Sequence, residues 1–376
     1  MAQSTSLRHV LAAGVSEGVF PGAVLWAWAP GFAPLTLAVG RRQVRPEALP
    51  MTDDTVFDLA SLTKPMVTAS LCMALADELG AKWDAPLVAW LPAFANGPEP
   101  AWRRAVTLCH LLTHSAGLPA WRPYHEAARA VHGVGAAARA DILARICAEP
   151  LEAPPGTRGV YSDLGFILLG EVLERATGTG LDPLFRERVA APLGLASARY
   201  NADHREGTFG AAPLAATLDC PWRRRVLRGV VHDDNAYVMG GVSGHAGLFA
   251  SAADVGRWAR AVLAAYRGDS GWIAPGLARR FLTRWAVPGS SWAMGFDTPS
   301  GASSAGTRFG PHAVGHLGYT GTSVWIDLER GWVVVLLSNR LHPDDKGADA
   351  IRRFRPLLHD SVAALLPDAP APDRAE

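Results

Sequence analysis

Ser61-Leu62-Thr63-Lys64 opens a stretch, residues 61 to 79, that reads as a helix stopped by Gly80. Residues three apart on a helix share a face, so the Lys64 amine can reach the Ser61 hydroxyl. A serine hydroxyl is a poor nucleophile until a neighbouring base takes its proton. Lysine can act as that base once desolvation or a nearby cation lowers its pKa from ~10.4 toward neutrality, a three-unit shift costing about 4 kcal/mol. Arginine cannot, because its pKa lies above ~12. The choice of lysine therefore carries information: of 36 basic residues only Lys64, Lys82 and Lys346 are lysine. No other Ser-x-x-Lys occurs in the chain. A serine where a helix begins also has a free N–H that can face a developing oxyanion. Pro65 is tolerated there, since first-turn N–H groups lack helical partners. A helix-capping serine followed by a surface lysine would give the same four letters, so further marks are needed.

Two lie downstream. Tyr161-Ser162-Asp163 stands just before a helix carrying Leu164, Ile167, Leu168 and Val172, with Ser162 or Asp163 as its cap and Gly178 as its stop. A tyrosine there can relay protons beside Ser61 and Lys64, or can simply be buried at a helix entry. Gly315-His316-Leu317-Gly318-Tyr319-Thr320-Gly321 leads into C-terminal strands. Its glycines allow close backbone approach to a ligand, and the Tyr319 N–H is the expected second oxyanion donor; a plain turn is the alternative.

Around these marks the chain reads as strands, helices, then strands. Residues 7–17 form a short helix, and Ala23–Trp28 and Leu35–Val39 form strands joined at Pro30-Gly31. Residues 80–200 are mostly helical, with Thr107 capping a short helix that ends near His114 and Asp141 starting another. Residues 199–248, rich in Gly, Arg and Asp, read as long loops. Ser323–Asp327 and Trp332–Ser338 flank a hairpin turn, Leu328-Glu329-Arg330-Gly331, and an Arg-rich helix runs from Lys346 to Leu365. The last ten residues, with Pro367, Pro370 and Pro372, read as a frayed tail. Strands at both ends imply one sheet built from both termini, an inserted helical lobe, and a cleft between them.

The composition suits that plan. Hydrophobic residues make up 49% and charged ones 19%, against a typical ~25% charged. A chain of this length and apolarity can bury a full core, which excludes a disordered or fibrous protein. The formal net charge of +1 gives no global field to recruit nucleic acid or an anionic membrane. Cys72, Cys109, Cys147 and Cys220 lack metal-ligand spacing and read as small buried hydrophobes. No signal-peptide pattern is read in the first thirty residues, where Arg8, Glu17, Pro21 and Gly22 interrupt the apolar run, and no stretch reaches the ~20 apolar residues of a spanning helix. The expected location is the cytoplasm.

Together the three marks resemble the serine β-lactamase and penicillin-binding-protein-like hydrolases, in the branch near class C β-lactamases, family VIII carboxylesterases and D-aminopeptidases. The family's Ser-x-x-Lys, Tyr-x-Asn and Lys/His-x-Gly stand here, in order, as Ser61-x-x-Lys64, Tyr161-x-Asp163 and His316-x-Gly318. The segment 108–119, Leu-Cys-His-Leu-Leu-Thr-His-Ser-Ala-Gly-Leu-Pro, is very like the branch's helix-to-loop segment. Residues 231–236, 240–249, 303–306 and 338–343 resemble one subgroup, which includes penicillin-binding-protein-4B-like proteins and exo-acting N-acetylmuramoyl-L-alanine amidases. The resemblance spans roughly residues 8 to 365. It implies an α/β (α+β) fold of the β-lactamase/transpeptidase type, with an antiparallel sheet of N- and C-terminal strands, flanking helices and a mostly helical lobe. One catalytic domain is expected over 1–366, with the sheet lobe at about 1–60 and 250–366, the helical lobe at about 80–210, and a flexible tail at 367–376.

The resemblance also implies an acyl-enzyme mechanism without cofactor or metal. Ser61 attacks, Lys64 and Tyr161 share base and acid roles, and the N–H groups of Ser61 and Tyr319 hold the oxyanion. Asp163, His316, Gly318, His232, Asp234, His245 and Ser304 are the expected substrate-binding residues. The expected substrate is a muropeptide amide, with a small ester, a D-amino-acid amide or a β-lactam as alternatives. A non-catalytic muropeptide or β-lactam sensor is the alternative of another class. A monomer with no nucleic-acid or membrane partner is expected. Two departures bear on specificity. Asp163 replaces an amide donor with a carboxylate that only accepts, and it can pair with Lys64, raising that lysine's pKa. His316 replaces a lysine and is a weaker carboxylate anchor at pH 7, since histidine titrates near ~6.5. Both favour an esterase or amidase over an efficient β-lactamase.

Other signals read as structural. Gly268-Asp269-Ser270-Gly271 lies in a polar turn, and Gly241-Val242-Ser243-Gly244-His245 lacks the last glycine of a nucleophile elbow. His110 and His114 share a helix face, but Leu111 stands where a zinc protease has glutamate. His232, Asp233, Asp234 and His245 read as substrate contacts or loop structure rather than a metal cluster. Arg223-Arg224-Arg225 with Arg228 reads as a solvated face, or as a greeting for a carboxylate if it borders the cleft. Trp292 is the expected cleft wall.

Overall fold

The computed structural model describes residues 2–80, 82–205 and 207–367, with side chains from residue 5 onward. Eleven strands are present among them: β1 (Gly22–Ala29), β2 (Phe32–Gln43), β3 (Leu49–Pro50), β4 (Val56–Asp58), β5 (Arg199–Tyr200), β6 (Ala216–Cys220), β7 (Arg225–Arg228), β8 (Leu248–Ser251), β9 (Val314–Leu317), β10 (Ser323–Ile326) and β11 (Val333–Ser338). The main sheet has the order β3-β2-β1-β11-β10-β9. β1 pairs antiparallel with β11, from Ala23 opposite Ser338 to Trp28 opposite Val333, so the two ends of the chain close one sheet.

Strand periodicity explains why this sheet is covered twice. Successive side chains point to opposite faces. Val24, Trp26, Val324, Ile326, Val333 and Val335 face the core shared with the central helices. Ala23, Leu25, Ala27, Trp325, Val334 and Leu336 face a second core with Leu7 and Leu11 of the N-terminal helix and Phe354 and Leu358 of the C-terminal helix. The helices Ala2–Ser16 and Ala348–Ala363 thus cover one face, and Ala252–Arg267 covers the other. The fold is of the β-lactamase/transpeptidase type, with helices and antiparallel sheets, as the sequence implied. All four cysteines are buried and free.

Three local expectations need correction. Residues 61–79 are not one regular helix: a 3-10 turn at Ala60–Leu62 leads into a π-helical turn at Lys64–Ala69 and a short α-helix at Ser70–Ala74. Wide π turns are rare and gather at functional sites. The helix expected from Asp141 begins at Ala136, after Gly135 supplies a φ of +116°, and Asp141 sits inside it, bonded to Arg145. Residues 199–248 hold β5, the hairpin β6–β7 and the short helix Asp234–Val238 rather than loops alone. That hairpin forms a two-stranded sheet of its own. The frayed tail read for 367–376 lies, beyond Pro367, outside the described residues. Among the described residues no helix is long and apolar enough to cross a membrane.

Candidate active site

Ser61 sits on a strained corner. β4 delivers a buried Asp58 whose carboxyl accepts from the N–H of Ala60 (2.9 Å) and the N–H of His232 (2.7 Å). Burial pushes the Asp58 carboxyl above its ordinary value. Ala60 takes a φ of +47°, a conformation that costs a non-glycine residue free energy and turns the next side chain outward. Thr63 locks the corner, donating to the Ala60 carbonyl (2.7 Å) and accepting from the N–H of Leu248 (3.2 Å).

Lys64 lies beneath Ser61, without solvent exposure. Its Nζ donates to Ser61 Oγ (3.0 Å), to Asp163 Oδ1 (2.6 Å) and to the His245 carbonyl (3.2 Å). Burial alone would lower its pKa, but the Asp163 carboxylate, and after it Tyr161, outweigh burial and hold the pKa above the ordinary lysine value. The amine is an ammonium in the resting site. The approach toward neutrality that a free lysine base needs is absent, and the pairing with Asp163 is the reason.

Tyr161 and Asp163 flank the cap of the helix Asp163–Thr177. Ser162 Oγ accepts from the Gly165 N–H (3.4 Å) and donates to the Pro119 carbonyl (2.7 Å), while the Ser162 N–H donates to His114 Nδ1 (3.0 Å). These bonds orient the tyrosine before the cap and the aspartate after it. Lys64 Nζ lies 4.8 Å from the centroid of the Tyr161 ring; burial raises the phenol's pKa, and the Lys64 charge opposes that only in part. Its ring rests among His114, Trp292 and His316, with centroids 4.6, 5.2 and 5.9 Å away.

His316, on β9, is buried. Nδ1 donates to the Leu317 carbonyl (2.8 Å) and Nε2 has no protein partner. Burial, and then the Lys64 charge, push its pKa down to about 3. The expectation of a partly charged carboxylate anchor is therefore corrected: His316 is a neutral ring that offers a lone pair. Gly318 must be glycine, since a Cβ there would meet Thr322 Oγ1 at 1.9 Å and the Leu59 carbonyl at 2.5 Å. Among the described residues no backbone acceptor takes the Tyr319 N–H. The Tyr319 side chain is outward, its hydroxyl donating to Asp345 (2.6 Å) and its ring stacked near His232.

A cavity of about 690 Å³ gathers these groups. Ser61, Tyr161, Asp163, His232, Asp234, His245, Ser304, His316, Gly318 and Tyr319 all line it, as does Trp292; only Lys64, sealed behind Ser61, does not. His245 bonds Asp233 through Nε2 (3.0 Å) and Ser243 through Nδ1 (2.8 Å). Burial would raise the Asp233 carboxyl, but His245 beside it leads the effects that hold it well below the usual range. Asp234 pairs with Arg223 and accepts from Trp222 Nε1 (3.2 Å), and Ser304 Oγ accepts from Trp325 Nε1 (3.2 Å). Among the described residues no group of three or more His, Cys, Asp or Glu could hold a metal ion. Arg224, Arg225 and Arg228 are exposed, as the run of arginines implies, and none of the four borders the cavity; the Arg223 side chain alone is buried, against Trp222 and Tyr237, and donates to the carbonyls of Val231 and His232. His110 completes the Thr107 capping box. Trp121, Asp297, Arg340, Arg352 and Arg355 line the cavity without having been singled out. Arg352 and Arg355 were visible only as members of the Arg-rich C-terminal helix, and Arg340 only as part of the segment 338–343.

A β-lactamase family profile matches residues 7–356. The chain belongs to the β-lactamase family. It is 33% identical over 310 residues to an Escherichia coli (strain K12) protein named provisionally a D-alanyl-D-alanine carboxypeptidase, covering 77% of this chain and 70% of the relative. It is 31% identical over 314 residues to a Bacillus subtilis (strain 168) N-acetylmuramyl-L-alanine amidase, covering 78% and 69%. Among solved structures, EstCE1, a hydrolase with promiscuous acyltransferase activity, matches with a TM-score of 0.74 at 22% identity, covering 96% of this chain and 98% of that one. An octameric penicillin-binding protein homologue from Pyrococcus abyssi matches at 0.69 and 21% identity, over 89% and 73%. The structural likenesses speak to the fold. Family membership makes the chain a serine hydrolase.

Proposed function

We propose that this hydrolase cleaves a peptidoglycan-derived amide through an acyl-enzyme on Ser61. The observation that carries the reading is the 3.0 Å contact between Lys64 Nζ and Ser61 Oγ at the wall of the cavity that Tyr161 also lines, with the Tyr161 ring centroid 4.8 Å from the amine. Because Lys64 rests as an ammonium, it must release a proton before it can accept one. Asp163, 2.6 Å away, is the acceptor. When substrate displaces water, an ion pair and a neutral amine–acid pair become closer in free energy, since burial penalises the separated charges. Lys64 then takes the Ser61 proton as Oγ bonds the carbonyl carbon. Collapse of the tetrahedral oxyanion breaks the carbon–nitrogen bond; Tyr161 delivers a proton to the leaving amine and takes the former serine proton from Lys64, which leaves the lysine amine neutral and the phenol protonated for the second half-reaction. Water repeats the sequence on the acyl-enzyme and frees the acid.

The amide preference is supported by the likeness to the amidase. A small ester is the second reading, favoured by the neutral His316, which supplies no cation for a substrate carboxylate. Hydrolysis of N-acetylmuramoyl-L-alanine, p-nitrophenyl butyrate, nitrocefin and D-alanyl-D-alanine by wild type and Ser61→Ala tests both. The muramoyl amide is expected to give the highest kcat/KM. Ester turnover exceeding it a hundredfold would select the second reading.

A further inference from the structure

Arg355, on the C-terminal helix, is a buried arginine with no acid beside it. Its Nη2 donates to two carbonyls, Gly318 (3.0 Å) and Thr322 (2.8 Å), and Nε has no partner. No carboxylate pairs with it among the described residues. Its neighbours do not neutralise it. Arg340 is a second cation, already paired with Asp345 at 2.9 Å, and Arg352, one turn earlier, pairs with Asp349 at 3.1 Å. His359, one turn later, donates Nδ1 to the Ser304 carbonyl (2.6 Å). An unpaired buried cation is unfavourable unless something repays its desolvation.

The position of the contact suggests what does. The carbonyl of Gly318 and the N–H of Tyr319 belong to one peptide group. Arg355 holds the oxygen of that group, and the N–H on its other side is free of backbone acceptors. The turn is further pinned by the Gly318 N–H on the Thr322 carbonyl (2.8 Å) and by Thr322 Oγ1 on the Leu59 carbonyl (3.0 Å), two residues before Ser61. A charged donor on a peptide oxygen draws electron density from the nitrogen and strengthens the N–H as a donor, an effect that grows in a dry site.

We propose that Arg355 is a positioning residue that polarises the Gly318–Tyr319 peptide toward the oxyanion. Its positive charge stays uncompensated in the resting enzyme and is met by the negative charge of the tetrahedral intermediate. The interaction is stronger in the transition state than in the ground state, so it acts on kcat. This rests on the reading that the Tyr319 N–H receives the oxyanion. It gives the Arg-rich helix a part in the chemistry although Arg355 touches no reacting atom.

The test compares wild type, Arg355→Gln and Arg355→Lys on a neutral p-nitrophenyl ester, with phenylboronic acid as the inhibitor. Addition of Ser61 Oγ to boron forms a tetrahedral anion that mimics the intermediate. Arg355→Gln is expected to lower kcat about ten- to hundredfold with KM within about threefold, and to weaken boronate inhibition by the same factor. Arg355→Lys is expected to recover most of both. A folded Gln variant with unchanged kcat, or one whose KM rises while boronate affinity holds, overturns the proposal. Should the Gln variant not fold, Arg355→Lys decides. Boronate affinity within about tenfold of wild type supports a role for the charge, and a loss beyond about a hundredfold in a folded Lys variant refutes it. Absence of Ser61-dependent ester turnover in wild type would instead remove the underlying hydrolase reading.

Discussion

Lys64, buried, and Asp163, on the cavity wall, form an ion pair at 2.6 Å within the hydrogen-bonding reach of Ser61. The family pattern places an asparagine at the second position, so the carboxylate sets the protonation state of the site. Removing it leaves burial as the leading influence on Lys64, and burial favours the neutral amine. Asp163→Asn should therefore move the acidic limb of kcat/KM for Ser61 acylation to lower pH. Nitrocefin acylation should rise, because an amide regains the donor that a carboxylate lacks. A limb that stays in place, or moves to higher pH, contradicts the assignment of Lys64 as the group that titrates there.

Stability of the pair follows a different rule from its chemistry. Removing Lys64 strands the Asp163 carboxylate at the cavity wall, 18% exposed, so Lys64→Met should cost up to about 3 kcal/mol in denaturant unfolding. Lys64→Met with Asp163→Leu should recover most of that while activity stays absent. The stabilisation due to the raised Lys64 pKa is present below the unfolded value near ~10.4 and is lost only as pH rises through the folded one, so it persists at neutral pH. A double variant no more stable than the single one would show that the loss comes from packing.

Buried histidines set the acid limit of the fold. Burial pushes His359 down to about 4 and His316 down to about 3. Between these values and ~6.5 the unfolded chain binds protons that the folded one refuses, so stability falls as pH drops through this window. Each histidine contributes about 1.4 kcal/mol per pH unit there. His359→Gln lies away from Ser61 and should flatten the decline between pH 6 and 5 by about that amount. An unchanged slope would mean that His359 is protonated in the folded state.

Gly318→Ala tests the close approach of β9 to the Ser61 corner. The added methyl would lie 1.9 Å from Thr322 Oγ1 and 2.5 Å from the Leu59 carbonyl, so the strand has to move. A shift of this kind displaces the Tyr319 N–H, and kcat should fall about a hundredfold with the protein still folded. A variant with wild-type kcat would show that the N–H is not used.

Much of this was legible in the residues. Ser61, Tyr161 and His316 stand in motifs whose order and spacing are read directly, and the continuous apolar strands at both ends suit a sheet closed by β1 and β11 and covered on both faces. What escaped depends on long-range contacts. The π turn after Ser61 arises where Pro65 and the Ala60 corner meet tertiary constraints, which no local period records. The neutrality of His316 comes from burial, which a motif does not contain. Triple arginine is polar and predicts a solvated face, which Arg224, Arg225 and Arg228 do form, but two aromatic rings and backbone carbonyls cover the Arg223 side chain. Arg355 had no local signal, since its partners lie more than thirty residues earlier on another element.

The most direct test is mass spectrometry of intact protein mixed with N-acetylmuramoyl-L-alanine or a fluorophosphonate, for wild type and Ser61→Ala. The account predicts a covalent adduct on Ser61 with both reagents, turnover of the muramoyl one, and neither adduct nor hydrolysis in Ser61→Ala. Full hydrolysis by Ser61→Ala, or an adduct on another residue, would contradict it.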